Sequence, residues 1–192
     1  MGVNKKDFER GISNLENCGQ WFGKGGNEME IRKFEIDRLS VRSAKPFEAV
    51  VSALKAAVWR FDVVEFTKVA MSASSFAELE ELVGREAGPG GLMLFMEFDQ
   101  GSVLRKETGF DKPKIVRLLI GNPLIMKEMA KHVPDAGSYA PVTVLIDERD
   151  DGVHLSYDKM TSLLAPYGNT AASAVAQDLD IKVETLLREC AA

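Results

Sequence analysis

The spacing of apolar and polar positions changes several times along this chain, and each change marks an element. In "IRKFEIDRLSVRS", Ile31 to Ser43, Phe34, Ile36, Leu39 and Val41 are apolar between charged neighbours, with a phase slip near Asp37-Arg38. That alternation predicts a half-buried strand with a bulge. Pro46 then stands at a favoured first helical position, and Phe47, Val50, Val51, Leu54 and Val58 recur at helical spacing. The run "FDVVEFTKVAM", Phe61 to Met71, reads as a second strand. Ser75-Phe76-Ala77-Glu78 has capping-box spacing and opens a helix that stops at Gly88-Pro89-Gly90-Gly91.

Further on, "LMLFMEFD", Leu92 to Asp99, is too apolar for a half-exposed strand and is expected at the centre of a sheet. "KIVRLLIG" predicts another strand, and "PLIMKEMAKHV" a short helix between Pro123 and Pro134. Two apolar runs flank Asp150-Asp151-Gly152, a strong hairpin signal. After Pro166-Tyr167-Gly168, Asn169 or Thr170 caps a terminal helix whose Val175, Leu179, Val183, Leu186 and Leu187 form one stripe. Strands and helices are intermixed and the clear hairpin is antiparallel. The expected class is therefore α+β, a mostly antiparallel sheet with helices packed on one face.

The first residues differ from the rest. Lys5 to Leu15 fits a short helix, but four glycines crowd "CGQWFGKGGNE", which no helix or strand interior tolerates well. Residues 1–29 are read as an N-terminal extension, with Trp21 and Phe22 packed against a single domain of residues 30–192.

Composition narrows the classes of function. The 192 residues are 45% hydrophobic and 28% charged, as in soluble globular proteins. A net charge of −5 gives no footprint for a nucleic-acid backbone, so no nucleic-acid partner is expected. Apolar runs fall short of a membrane span, and the N-terminus lacks the h-region of a secretory signal. Lys6 stands where a myristoylation motif wants Ser or Thr. The expectation is a cytoplasmic protein with no membrane association. Cys18 and Cys190 form no metal-ligand pattern and are read as two free thiols.

Candidate chemistry concentrates in two places. Gly121-Asn122-Pro123 ends a strand and begins a helix: Gly supplies any positive φ, Asn bonds local backbone, and Pro starts the helix. A helix N-terminus suits an anion, yet no P-loop is present; turn chemistry is the leading account of the motif, with anion binding at the rim of a site as the alternative. In "MEFDQG", Glu97 and Asp99 are two apart in a strand and share a face, expected together with Met93 and Phe95. Carboxylates among apolar neighbours can work as acid and base. The plainer account has Asp99 capping the next segment and Glu97 pairing with a cation across the sheet. His132 and His154 stand in no metal-binding or triad spacing, so no metal site is expected and no cofactor is indicated.

Taken in order, "VRSAKPFEAVVSALKAAV", "GLMLFMEFDQG", "VRLLIGNPLIMKEM", "YAPVTVLIDERDDGVHLSY" and "TSLLAPYG" resemble the bacterial "domain of unknown function 302" family. The resemblance runs from about Phe34 to Leu187. It implies a fold of the TATA-binding-protein-like type, frequently a homodimer, and no established activity. Where that family often has His after its M-E-x-D motif, this chain has Gln100, which neither titrates near neutrality nor ligates a metal as His does. Carried over, the candidate site is Glu97, Asp99, Gln100, Gly121, Asn122, Pro123 and Tyr157. Three functions follow: a small-ligand-binding domain with a pocket between sheet and helices, an enzyme using Glu97 or Asp99 as general acid or base, or a homodimeric interaction module.

Overall fold

A computed structural model of the chain describes residues 31–58 and 62–192; the expected Lys5–Leu15 helix and the placement of Trp21 and Phe22 lie outside them. Residues Phe34–Ala192 form one compact unit. Among the described residues there are five strands: β1 (Arg38–Ser43), β2 (Met93–Asp99), β3 (Ile115–Gly121), β4 (Val142–Arg149) and β5 (Gly152–Asp158). Seven α-helices accompany them: α1 (Phe47–Ala57), α2 (Val63–Ser72), α3 (Phe76–Glu86), α4 (Gly101–Thr108), α5 (Pro123–Ala130), α6 (Met160–Leu164) and α7 (Thr170–Ala191).

The strands make one sheet in the order β1-β5-β4-β3-β2, every neighbouring pair antiparallel. After α1–α3 the chain enters at the far edge with β2 and meanders back until β5 meets β1. One face carries rows such as Val116–Ile146–Leu155–Val41 and Leu118–Val144–Tyr157–Leu39. These rows share a core with Phe47, Val50, Val51 and Leu54 of α1 and Leu179, Val183, Leu186 and Leu187 of α7. Each such apolar side chain stabilises the fold by roughly 1.5–3 kcal/mol relative to exposure. The periodic stripes read from sequence are thus the faces that pack, although Val175 is only partly buried. Asn169, not Thr170, caps α7, accepting from the Ala172 amide at 2.9 Å.

Four expectations change. The regular strand begins only at Arg38; Ile36 is exposed, and the register of β1 with β5 has no bulge. The run after Phe61 is helix α2, because Asp62 accepts from the Val64 and Glu65 amides and so nucleates a helical turn. β2 lies at an edge, not the centre. Its apolar residues serve two clusters: Leu94 joins the main core, while Met93 packs with Val83, Phe66, Leu79 and Phe95 beside α2 and α3. Finally, a bulge falls within β2. The pairing steps from Leu94↔Ile120 to Met96↔Leu119, so Phe95 is the extra residue.

That extra residue resets the side-chain alternation, since a slip of one moves every following residue to the other face. Glu97 pairs with Leu118 and Asp99 with Val116, so both carboxylates lie on the helix-covered face with Leu94. Met93 and Phe95, expected beside them, are not.

Candidate functional site

Beyond the bulge, β2 presents Glu97 and Asp99 to a cleft of about 570 Å³ between α1 and the β2–β3 edge. Phe47, Val51 and Val116 supply apolar surface, and Glu48, Ser52 and Lys55 line it from α1. These α1 positions follow from the 3.6-residue repeat: 48, 52 and 55 lie along one side of the helix beside the buried 47 and 51. Arg105 of α4, Asp111 and Lys114 of the segment leading to β3, and Ile115 at the start of β3 complete the lining.

The charged groups form ion pairs between elements. Lys55 Nζ donates to Glu97 Oε2 at 2.7 Å, and Lys114 Nζ to Glu48 Oε1 at 3.1 Å. Arg105 Nη2 donates to Asp99 Oδ2 at 2.5 Å, and Arg105 Nε lies 3.9 Å from Asp111. Asp99 Oδ1 also accepts from the Ser102 amide at 3.0 Å, tying down the first turn of α4. The plainer sequence account thus describes much of the geometry, except that the partner of Glu97 comes from a helix and not from a neighbouring strand. The Arg105 guanidinium holds the Asp99 carboxyl below its usual range. The Glu48 carboxylate hydrogen-bonded to Lys114 raises that ammonium's pKa.

Gly121, Asn122 and Pro123 occupy the other end of the sheet. Gly121 is paired with Met93, whereas Asp99 is paired with Val116; five residues of strand put the two ends roughly 17 Å apart. Gly121 does not adopt positive φ; it closes β3 in extended backbone. Asn122 is an N-cap whose side-chain oxygen accepts from the Leu124 amide at 2.8 Å while its Nδ2 donates to the Gly91 carbonyl at 2.9 Å. Its side chain thereby fastens the helix start to the glycine-rich loop before β2. Asn122 and Pro123 border a separate apolar hollow of about 110 Å³ with Phe95, Met126, Ala140 and Pro141.

Gln100 is exposed and precedes α4 without capping it through its side chain. Tyr157 shares a row with Glu97, but Leu118 and Val144 stand between them, and its hydroxyl is buried against Asp180 at 2.7 Å. Burial, more than that carboxylate, pushes the phenol pKa up. Of the seven residues inferred from sequence, then, the cleft gathers Glu97 and Asp99. Lys55, Arg105, Lys114 and Glu48 were missed. The i, i+4, i+7 polar stripe on α1 was the one available signal, since Arg105 lies in a helix that no periodic pattern marked and Lys114 stands just before the β3 run. No cluster of three or more His, Cys, Asp or Glu suited to a metal occurs among the described residues.

Fold and site together define an antiparallel α+β domain with an ion-pair-lined cleft beside one sheet edge. A family model described as "Domain of unknown function DUF302" matches residues 67–190, well over half of the chain. The chain belongs to that family. It is similar to the crystal structure of an uncharacterized conserved protein DUF302 from Bacillus stearothermophilus, at 16% identity and a TM-score of 0.55, covering 80% of this chain and 97% of that one. At this identity the likeness concerns the fold. A search of curated proteins gave no match. Among the described residues no helix is long and apolar enough to cross a membrane.

Proposed function

We propose that this domain binds a small, partly apolar molecule in the cleft between α1 and the β2–β3 edge, with Glu97 and Asp99 supplying polar contacts. The observation that carries the reading is the bulge at Phe95, which turns both carboxylates toward α1 beside Phe47, Val51 and Val116. The cleft volume of about 570 Å³ lies in the range of ordinary small-ligand sites, and eight of its twelve lining residues are polar or charged, so its contacts to a ligand are chiefly polar. Gly121, Asn122, Pro123 and Tyr157 do not enter this reading, because their geometry serves capping and core packing.

The same geometry disfavours acid–base catalysis by Asp99. A general base works best with its pKa near the working pH, and Arg105 moves Asp99 the other way. Native mass spectrometry of the purified chain, with a broad thermal-shift screen, tests the binding reading. Retained ligand, or a stabiliser whose effect is lost in Glu97→Gln, supports it; neither retained ligand nor any stabiliser removes it.

A second reading, a homodimer, draws on the sheet face opposite the core. Met96 and Phe98 are 46% and 41% exposed there, in rows with Leu119 and with Arg117 and Leu145. Light scattering decides it: a 21.1 kDa particle at high concentration refutes the dimer.

A further inference from the structure

Every cation in the cleft already has an acid partner, and this restricts what can enter. The lining holds Lys55, Arg105 and Lys114 against Glu48, Glu97, Asp99 and Asp111. The pairs Lys55–Glu97, Lys114–Glu48 and Arg105–Asp99 set each of these cations beside a carboxylate. Lys55 and Glu97 are only 33% and 26% exposed, so neither is fully hydrated. A simple anion that takes Lys55 from Glu97 leaves a half-buried carboxylate without its counter-charge. A simple cation that takes Glu97 leaves Lys55 likewise. Such an exchange makes one ion pair and breaks another, and leaves the released group without a partner.

A molecule carrying both charges a few bonds apart avoids that loss. Its carboxylate replaces Glu97 on Lys55, its ammonium pairs with Glu97, and all four charges stay compensated. From these ion pairs beside Phe47, Val51 and Val116 we infer that the ligand is a zwitterion of the α-amino-acid type with an apolar side chain. The inference rests on the binding reading above and names its ligand class. The ion pair opens and the ligand closes it at both ends; no covalent bond changes. The apolar side chain lies on the floor beside the Phe47 ring, over which Lys114 Nζ is placed at 5.9 Å.

Titration calorimetry on the full chain separates the possibilities, using L-phenylalanine, L-leucine, N-acetyl-L-phenylalanine and L-phenylalanine amide as probes. The expected result is binding of both free amino acids, with N-acetylation and amidation each weakening affinity on the order of tenfold or more. Lys55→Met and Glu97→Gln each weaken L-phenylalanine binding on the same scale while their melting temperatures stay near that of the parent chain. Equal binding of the acetylated or amidated form overturns the zwitterion assignment and leaves the cleft reading in place. So does binding of another library compound, lost in Glu97→Gln, when no free amino acid binds. If free amino acids bind and both variants bind them unchanged, the site lies elsewhere and both readings fall. If no amino acid binds and no library compound is lost in Glu97→Gln, both fall as well.

Discussion

Two acidic centres in this domain use the same functional group to opposite ends. At one, Asp180 of α7 is 3% exposed and accepts from the Tyr157 hydroxyl, the Met160 amide, and the Thr161 amide and hydroxyl, at 2.5–3.1 Å. Three of its four donors come from the start of α6, so one carboxylate fastens α6 and β5 to α7. At the other, Glu97 and Asp99 meet cations on long side chains at a solvent-reached cleft. The difference lies in the donors. Backbone amides and a packed phenol are fixed in place, and a carboxylate among them becomes structure. Lysine and arginine tips can be exchanged for a ligand's own charges, and a carboxylate facing them stays available.

The comparison breaks first at Asp180. Asp180→Ala takes the acceptor from the Thr161 amide and the buried Tyr157 hydroxyl, leaves the Met160 amide only the Tyr157 oxygen, and should lower stability by about 2–4 kcal/mol, read from the denaturant midpoint. A loss under about 1 kcal/mol would mean the network is not rigid. Asn122→Ala removes both the cap on α5 and the bond to Gly91, for an expected loss of about 1–2 kcal/mol. It should leave binding in the cleft, roughly 17 Å away by strand length, unchanged. Tyr157→Phe deletes one donor while Asp180 keeps its others, so about 1 kcal/mol is expected. At the cleft, Glu97→Gln should shift stability by less than about 0.5 kcal/mol while weakening ligand binding on the order of tenfold or more.

The smallest effect is a pH dependence. In the folded chain the Asp99 carboxyl is held below its ordinary value of 3.8, chiefly by the hydrogen bond from Arg105. Its contribution is therefore complete above that value and is lost as pH falls through the lowered one. The stability gap between the parent chain and Asp99→Asn should be flat at and above pH ~5 and shrink below about pH 4. A gap that widened on acidification would contradict the pairing.

How much of this was legible in the sequence depends on the range of the interaction. The α1 and α7 stripes, the capping box at Ser75 and the Asp150-Asp151-Gly152 turn were readable, because periodicity and capping act over a few residues. Ser75 indeed accepts from the Glu78 amide, although Glu78 returns its carboxylate to Ser74 and not to Ser75. The α2 segment was misread, since Val63, Val64 and Phe66 suit a strand as well as a helix, and the Asp62 cap was passed over. Glu97 and Asp99 were found as a pair but placed with the wrong neighbours.

By itself the sequence determined the class of fold, most element boundaries, the residues that pack, and a family resemblance resting on motifs in order. Only the tertiary structure decided that β2 is an edge strand, that Phe95 is a bulge, and that Gly121-Asn122-Pro123 lies far from Glu97. It also decided that Tyr157 belongs to Asp180, and that Lys55, Arg105 and Lys114 meet the acids of the cleft. Local patterns follow from the geometry of one helix or strand. These other facts depend on which strands pair, and in what register, between residues far apart in the chain, where one inserted residue reverses the facing of all that follow.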